Sequence, residues 1–517
     1  MKLLKRFVAI ALSSLMAFSL VACGGGSDNK GENASGPEDK MFNVVMLNAF
    51  SGLDPLRTND SASTNVTAQI YETLYKVADD GSFVPVLAES LPEYSEDGMS
   101  ATVKLREGVK FHDGTPFNAE AVKYTFDLIK DPEFGSARAS IAGSIESMDI
   151  LDEYTIKFNL KYEDGVLTAK LAHTNSSIVS PTAQKNQDLM VDPVGTGPYK
   201  FVSSISGSNV VLTRNDEYWG EKPQIKDVTF TIISEESTAL ARMETGEADF
   251  LIGNSVESLP RIESMSNVIS SEKDSAQICY VALRPTSSHN PIMENPEFRK
   301  AIVMALDRES YVNNTMNGHA KYAKSVIGPK VIGYDATLES HNIGYDPEGA
   351  RAIIEKNGWA DEEILLLCPS TPTYAPMGEF FYANLKAAGF NNVKLEMMEW
   401  SAWLTEAKAD NRFDLTVAAW TNVTRDGSEL FEPNWHSEIG KRNRAGSKEL
   451  DGYIEESKTT SDIAVRKEAF AKCNNYLMDN AIVAPIFNGE QRFVYNNAYE
   501  CSCDTSGTFH IAEFKIK

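Results

Sequence analysis

The pattern that organises this chain is a short apolar run followed by a long polar stretch. Residues 415–420 read LTVAAW and are flanked by polar residues, which is typical of a fully buried strand. No regular pattern follows until Ser437, and a loop of this length inside a folded protein usually serves a function. The residues here that are suited to contact a ligand are Trp420, Asp426, Trp435 and His436. We therefore expect the loop to line a ligand cleft.

Hydrophobic periodicity elsewhere predicts alternating strands and helices. Predicted strands cover residues 42–47, 100–105, 363–368, 393–397 and 413–420. Predicted helices cover residues 67–74, 296–306, 347–357, 377–388, 401–408 and 447–478, and Asn118 is predicted to cap a further helix. Gly195 and Gly197 predict a tight crossing between strands. The strand–helix–strand order after residue 363 predicts a sheet with helices on its faces, an α/β architecture.

The N-terminus has the composition of an export signal. A basic start precedes an apolar stretch at residues 7–22 that is short for a membrane span and ends in small residues, so we expect residues 1–22 to be removed. The ending Leu20-Val21-Ala22-Cys23 resembles the bacterial lipoprotein signal, which implies that Cys23 is acylated after cleavage. More than one acyl chain would anchor the protein stably. Residues 23–40 contain no large apolar side chain and predict a flexible, lipidated tether.

Length and charge narrow the class of protein. A chain of 517 residues exceeds what one hydrophobic core usually serves, so two or three domains are expected. The formal net charge of −24 disfavours nucleic acid as a partner and favours cationic ligands. HExxH, GxSxG and P-loop motifs are missing, and no histidines occur at paired ligand spacing. The sequence therefore predicts a protein that is not an enzyme and has no cofactor and no metal site. An extracytoplasmic hydrolase is the alternative from another class.

Cysteine usage predicts buried thiols rather than a disulfide framework. Five cysteines remain besides Cys23, so at least one is free or pairs outside the chain. Cys279 and Cys368 lie in apolar runs, which indicates core packing. Cys501 and Cys503 are too close for an ordinary disulfide in extended chain.

Several motifs resemble one family. Residues 103–123 read VKLREGVKFHDGTPFNAEAVK and resemble the corresponding region of the family 5 extracellular solute-binding proteins of ABC importers. Further matches follow in the family's order: PVGTGPY at 193–199, NDEYWG at 215–220, GEAD at 246–249, RKAIVMALDR at 299–308 and YDPEGA at 345–350. The resemblance therefore covers essentially the whole chain after Met41.

The resemblance implies a two-lobed α/β fold like that of periplasmic binding proteins, with an extra subdomain inserted in the first lobe. The implied boundaries are 41–76, 195–283 and 491–517 for lobe I, 77–194 for the insert, and 284–490 for lobe II. It further implies a monomer that captures short peptides between the lobes and delivers them to a membrane permease driven by an ATPase. The alternative among binding proteins is a receptor for a nickel chelate, a metallophore or another cationic solute.

The resemblance also suggests site residues. In dipeptide-binding relatives, a loop matching residues 368–376 carries an arginine for the ligand carboxylate and then a tyrosine; here Pro372 stands at the arginine position and Tyr374 at the tyrosine position. Trp420, at the end of the strand predicted at 413–420, matches a tryptophan that closes the corresponding strand in peptide-binding relatives. Asp426 is the nearest acid after it and is expected to pair with a ligand's α-amino group. Trp435 and His436 belong to a downstream motif, and a nickel-binding member uses a histidine from a similar loop.

Overall fold

The computed structural model describes residues 40–78, 81–408, 412–440, 443, 445–460 and 462–517, and these form a mixed α/β fold. The strands are β1 (Phe42–Met46), β2 (Tyr75–Val77), β3 (Phe83–Pro85), β4 (Glu93–Tyr94), β5 (Ser100–Lys104), β6 (Ile145–Asp152), β7 (Thr155–Leu160), β8 (Tyr199–Ile205), β9 (Asn209–Arg214), β10 (Asp227–Ile232), β11 (Phe250–Ile252), β12 (Val268–Leu283), β13 (Lys321–Tyr322), β14 (Ile364–Pro369), β15 (Val393–Met398), β16 (Leu415–Thr421), β17 (Val483–Asn496), β18 (Tyr499–Glu500) and β19 (Lys515–Ile516). The helices are α1 (Ser61–Thr67), α2 (Ala119–Lys130), α3 (Leu167–Ala172), α4 (Pro181–Asn186), α5 (Glu236–Thr245), α6 (Leu259–Glu263), α7 (Pro296–Ala305), α8 (Arg308–Thr315), α9 (Pro347–Asn357), α10 (Ala375–Ala388), α11 (Trp400–Lys408), α12 (Ser428–Trp435), α13 (Lys448–Glu456) and α14 (Ile463–Asp479). The predicted signal peptide, Cys23 and residues 23–39 of the tether lie outside the described residues.

One large sheet runs through both lobes, in the order β15-β14-β16-β12-β17-β11-β1-β10-β9-β8. Its centre is the antiparallel pair of long strands β12 and β17. At the lobe I end β17 pairs with β11, and at the lobe II end β12 pairs with β16. The register between the two long strands shifts between Asp274 and Ile278. We call β12 and β17 the hinge ribbon, because this one ladder connects the two lobes.

A second sheet lies within the predicted insert. It has the antiparallel order β4-β5-β7-β6 and is packed by α2, where Phe126 meets Phe158 edge to face at 5.4 Å. The side chain of Asn118 accepts a hydrogen bond from the backbone of Ala121 and so caps α2, as the sequence predicts. The predicted boundaries of the insert stay a prediction.

Lobe II shows the predicted alternation of strands and helices. Strands β14 and β15 pair in parallel, and β14 also pairs in parallel with β16. Helices α9 and α10 end at Gly358 and Gly389, whose φ angles of 72° and 113° are left-handed and suit glycine at a helix C-terminus. Both predicted ends are confirmed. Apolar side chains cover both faces of this part of the sheet.

Three predicted elements differ from the structure. A helix is predicted at 67–74, but the helix in this region is α1, which is capped by Asp60 and ends at Thr67. It cannot continue, because the carbonyl groups of Gln69 and Ile70 accept hydrogen bonds from Tyr199 and Gly197. The predicted close approach of Gly195 is found, since a Cβ there would lie 2.1 Å from the Ile70 oxygen, but it is made to the turn after α1 and not between two strands.

The other two differences concern lobe II. The stretch predicted to be irregular up to Ser437 contains α12. The single helix predicted at 447–478 is two helices, because Asp462 caps a new helix with hydrogen bonds from the backbone of Ala464 and Val465. The strand predicted at 413–420 is confirmed in substance as β16.

Two further observations concern the cysteines and the possibility of a membrane-spanning helix. The cysteines at 279, 368, 473, 501 and 503 are all buried, and none of them forms a disulfide with another described residue. Within the described residues, no helix has both the length and the apolar character needed to cross a membrane.

Candidate functional site

A cavity of about 260 Å³ opens beside the hinge ribbon and is lined by both lobes. Lobe I contributes Met46, Asn48, Asp60, Asn65 and Asn254, lobe II contributes Thr371, Pro372, Tyr374 and Trp400, and the hinge ribbon contributes Gln277, Glu490 and Arg492. A pocket between two domains, partly apolar and with a few polar groups, is the usual form of a small-molecule site. We call this cavity the cleft.

The lobe II wall of the cleft is aromatic. Tyr374 stacks on Trp400 with ring centroids 5.7 Å apart, and Trp400 stacks on Trp403 at 5.1 Å. Trp403 is buried and donates to the hydroxyl of Thr416 on β16, which fixes the stack to the sheet. The cleft therefore has an aromatic side formed by Tyr374 and Trp400, which is backed by the buried ring of Trp403.

The lining also carries buried polar atoms that lack hydrogen-bond partners among the described residues. The side-chain oxygens Asn65 Oδ1, Asn254 Oδ1, Thr371 Oγ1 and Glu490 Oε2 are buried, and no described residue hydrogen-bonds to them. Buried polar atoms are nearly always satisfied, because an unmade hydrogen bond costs about 1–3 kcal/mol. The cleft is therefore rich in acceptors that a bound solute with N–H or O–H groups would satisfy.

The hinge ribbon adds charge to the cleft. Glu490 lies opposite Asp274, and Arg492 lies opposite Glu272, in the antiparallel register. Burial raises the pKa of Glu490, and the nearby charge of Glu272 raises it further. Arg492 donates to the carbonyl oxygens of Asn254 and His319, each at 3.2 Å. Potential metal-ligand atoms of Glu272, His319 and Glu490 lie within 4.8 Å of one another.

Of the residues expected to contact ligand, Tyr374 lies in the wall of the cleft. Trp420 is nearly buried on β16 and outside that lining, with the Arg138 guanidinium 5.2 Å from its ring centroid. The sequence pattern thus directs attention to the correct end of β16, but Trp420 faces the insert rather than the cleft.

Asp426, Trp435 and His436 also lie outside the lining of the cleft. Asp426 is buried, and both of its oxygens accept from Arg466 Nη2 at 2.6 Å. Trp435 packs in the lobe II core against Tyr280, and His436 Nε2 lies 3.3 Å from Glu455. An internal arginine therefore already neutralises the carboxylate of Asp426, and the predicted contact between Asp426 and a ligand amine stays a prediction.

Residues after β11 and along β17 were missed by sequence reasoning. Asn254, Glu490 and Arg492 have no motif of their own. The signal available was the polar run NGEQR directly after the apolar start of β17, at residues 488–492. A long strand that changes from apolar to charged at a predicted lobe boundary indicates a hinge that faces solvent or ligand.

The insert contacts lobe II through a buried carboxylate. Glu429 on α12 lies 3.1 Å from Arg138 Nη1 and 3.3 Å from His173 Nε2, and its other oxygen accepts from Thr424. Burial alone would raise the pKa of Glu429, but the hydrogen bond from His173 and the charge of Arg138 outweigh it and hold the pKa at about 2.

A sheet that passes through two lobes, with a lined cleft at the crossing, defines a two-lobed solute receptor. Residues 82–442 match the model of the bacterial extracellular solute-binding proteins, family 5, which covers well over half of the chain. The chain belongs to this family and is a solute-binding protein.

Relatives and solved structures agree with this assignment. The glutathione-binding protein GsiB of Pectobacterium atrosepticum is 28% identical over 403 residues, which is 77% of this chain and 75% of the relative. The fold matches DppA of Helicobacter pylori in complex with the peptide STSA, with a TM-score of 0.84 and 22% identity over 92% of this chain and 98% of that one. It also matches a dipeptide-binding protein of Pseudoalteromonas sp. SM9913 in complex with Met-Leu, with a TM-score of 0.85 and 21% identity over 92% of this chain and all of that one.

Proposed function

We propose that this protein captures short peptides in the cleft and delivers them to the permease of an ABC importer, which a cytoplasmic ATPase drives. The observation that carries the proposal is a set of buried acceptors to which no residue in the described part of the chain donates: Asn65 Oδ1, Asn254 Oδ1, Thr371 Oγ1 and Glu490 Oε2. A peptide backbone offers repeated N–H donors beside apolar side chains. Such a ligand suits a cleft whose lining combines buried acceptors with aromatic rings.

The ligands of similar proteins support this substrate class. GsiB is named for glutathione, and the two matched structures hold the peptide STSA and the dipeptide Met-Leu. These three ligands share amide groups and differ in length. We infer a peptide-like ligand from them and from the cleft lining, and we leave its length to experiment.

For the contacts within the cleft, we propose that Tyr374 packs against the ligand. Trp420, Asp426, Trp435 and His436 stay predictions, and their positions outside the cleft lining favour supporting roles in lobe II. We further propose that closure of lobe II toward lobe I buries the ligand, as hinge-type receptors do.

We propose that the mature protein acts as a monomer on the outer face of the cell membrane, held by acyl chains on Cys23. The support is the sequence Leu20-Val21-Ala22-Cys23 at the end of an apolar segment, followed by a polar tether. Cys23→Ser should release the protein from the membrane fraction of producing cells. Equal membrane retention of the variant would contradict the lipid anchor.

Native mass spectrometry of the protein as purified tests the ligand class, because it weighs whatever solute is trapped. A bound mass that fragments into amino acids, and thermal stabilisation by members of a defined peptide set, are the expected results. Stabilisation by a nickel–histidine chelate and by no peptide would contradict the proposal.

A receptor for metal chelates is the second candidate, because Glu272, His319 and Glu490 could together hold a cation. Elemental analysis of the purified protein separates this candidate from a peptide receptor. Recovery of unchanged peptide after prolonged incubation separates both from an extracytoplasmic hydrolase.

A further inference from the structure

Three carboxylates share one region of the hinge ribbon. Residues two apart on a strand face the same side, so Glu272 and Asp274 on β12 share a face with their cross-strand partners Arg492 and Glu490. Asp274 and Glu490 are therefore like charges directly opposite each other, an arrangement that destabilises a sheet. A ladder that connects two moving lobes carries this unfavourable pair at its centre.

The protein compensates the charges of this face unequally. Asp274 Oδ2 lies 3.0 Å from Lys330 Nζ, and Glu272 Oε1 lies 2.8 Å from His319 Nδ1. Arg492 is held by two backbone carbonyl oxygens. Glu490 is the remaining charged residue of this face. Its Oε2 atom is buried in the cleft lining, and no described residue donates to it.

We propose that Glu490 and the adjoining hinge face form a subsite for a primary ammonium group of the bound solute. The inference rests on the proposed function and names the part of the ligand that the hinge ribbon recognises. An ammonium carries one positive charge and three N–H donors, so it supplies both the charge and the hydrogen bond that Glu490 lacks. Asn254 Oδ1, a second buried acceptor without a partner in the cleft lining, suits the remaining donors.

An ammonium fits this face better than a divalent metal ion. His319 Nδ1 is already engaged by Glu272, so a metal that used that nitrogen would have to displace an existing ion pair. The guanidinium of Arg492, which acts on Glu490 electrostatically, adds positive charge that a divalent ion would meet at close range. A singly charged group that donates hydrogen bonds requires neither change.

The position of the subsite couples ligand recognition to the hinge. A bound ammonium offsets the repulsion between Asp274 and Glu490, which belongs to the ladder itself rather than to either lobe. A ligand without a cationic group leaves that repulsion in place and the Glu490 carboxylate unpaired. Free-amine and blocked forms of one ligand should therefore differ strongly in affinity.

The test compares trialanine with N-acetyl-trialanine, and adds alaninamide and zinc chloride as two simple cations. Calorimetry and thermal shift at constant ionic strength are measured on the wild type, on Glu490→Gln and on Glu500→Gln, a matched charge change at an exposed residue outside the cleft. We expect N-acetylation and Glu490→Gln each to weaken peptide binding about thirtyfold or more, whereas Glu500→Gln has no effect. Acetylation requires no variant, so it keeps the test valid if Glu490→Gln unfolds.

The outcomes separate the inference from the proposed function. Equal affinity for free and acetylated peptide overturns the subsite and leaves a peptide receptor. If neither peptide binds but alaninamide stabilises the wild type and not Glu490→Gln, the subsite is supported and the peptide assignment fails. If no amine binds, both fail. Stoichiometric zinc binding that Glu490→Gln abolishes, without any effect of alaninamide, replaces the ammonium with a metal.

Discussion

Arg138 of the insert donates to Glu429 of α12 at 3.1 Å, and both side chains are at most one-tenth exposed. The pair joins a loop after α2 to the helix that follows β16, so it is a contact between the insert and lobe II in addition to the ladder of the hinge ribbon. The charged groups of Arg138 and Glu429 are both buried, and His173 Nε2 lies 3.3 Å from the same Glu429 carboxylate. Such a contact holds the arrangement of insert and lobe II strongly, because separating the charges leaves each in a poorly solvated site.

Arg138→Met should destabilise the protein by about 3 kcal/mol, because it leaves Glu429 buried without its full partner. Urea unfolding followed by tryptophan fluorescence measures the change. Lys123→Met is the matched control, since Lys123 pairs with Asp127 on the exposed face of α2 and should cost no more than about 0.5 kcal/mol. Equal effects of the two variants would contradict a structural role for the buried pair.

Acidification should weaken the same contact. The pKa of Glu429 is lowered in the folded protein from 4.5 to about 2, so its stabilising contribution is fully present above pH 4.5 and is lost as the pH falls through about 2. The free energy of unfolding of the wild type should therefore fall more between pH 4.5 and pH 2 than that of Glu429→Gln. Parallel pH profiles of the two proteins would show that Glu429 is not ionised in this contact.

Asp426→Asn distinguishes a structural aspartate from a ligand contact. Because Asp426 holds Arg466 through both oxygens in a buried site, we expect a loss of about 3 kcal/mol in the free energy of unfolding. Ligand affinity, measured by calorimetry on folded protein, should change less than about threefold. A large loss of affinity with unchanged stability would instead restore the ligand role that the sequence suggested.

Tyr374→Leu should weaken ligand binding about tenfold while leaving the fold intact, because Tyr374 forms the outer ring of the aromatic wall and is only partly buried. Tyr345→Leu is a matched control, since Tyr345 is exposed and outside the cleft. Calorimetry with the ligand recovered from the purified protein measures both. An unchanged affinity for Tyr374→Leu would remove the tyrosine from the binding surface.

Much of the fold could be predicted from local pattern. Helix ends at Gly358 and Gly389 and the cap at Asn118 follow from short-range backbone chemistry, and each is found in the structure. The prediction of a helix at 67–74 was wrong because the carbonyl groups of this stretch accept hydrogen bonds from a segment more than a hundred residues away. No local sequence pattern contains that information.

The site was less predictable than the fold for the same physical reason. Asp426 has the residue type and the position expected of a ligand contact, but its carboxylate accepts a hydrogen bond from Arg466, forty residues later, which no local pattern predicts. Glu490 looks like an ordinary polar residue in the sequence. The proposed role of Glu490 comes from its position opposite Asp274 in the ladder and from an Oε2 atom to which no described residue donates. Both are properties of the folded structure.

The hinge ribbon also limits how the receptor can move. Sliding one long strand along the other would break every hydrogen bond between β12 and β17, whereas bending at the shift in register after Asp274 needs none to be broken. We therefore expect opening to be a rotation near this shift in register, close to Glu490 and Arg492, in which the contact between Arg138 and Glu429 separates. We expect an entering solute to meet these two charges first, and the aromatic wall of lobe II to close on it afterwards. Selection by charge would then precede selection by shape.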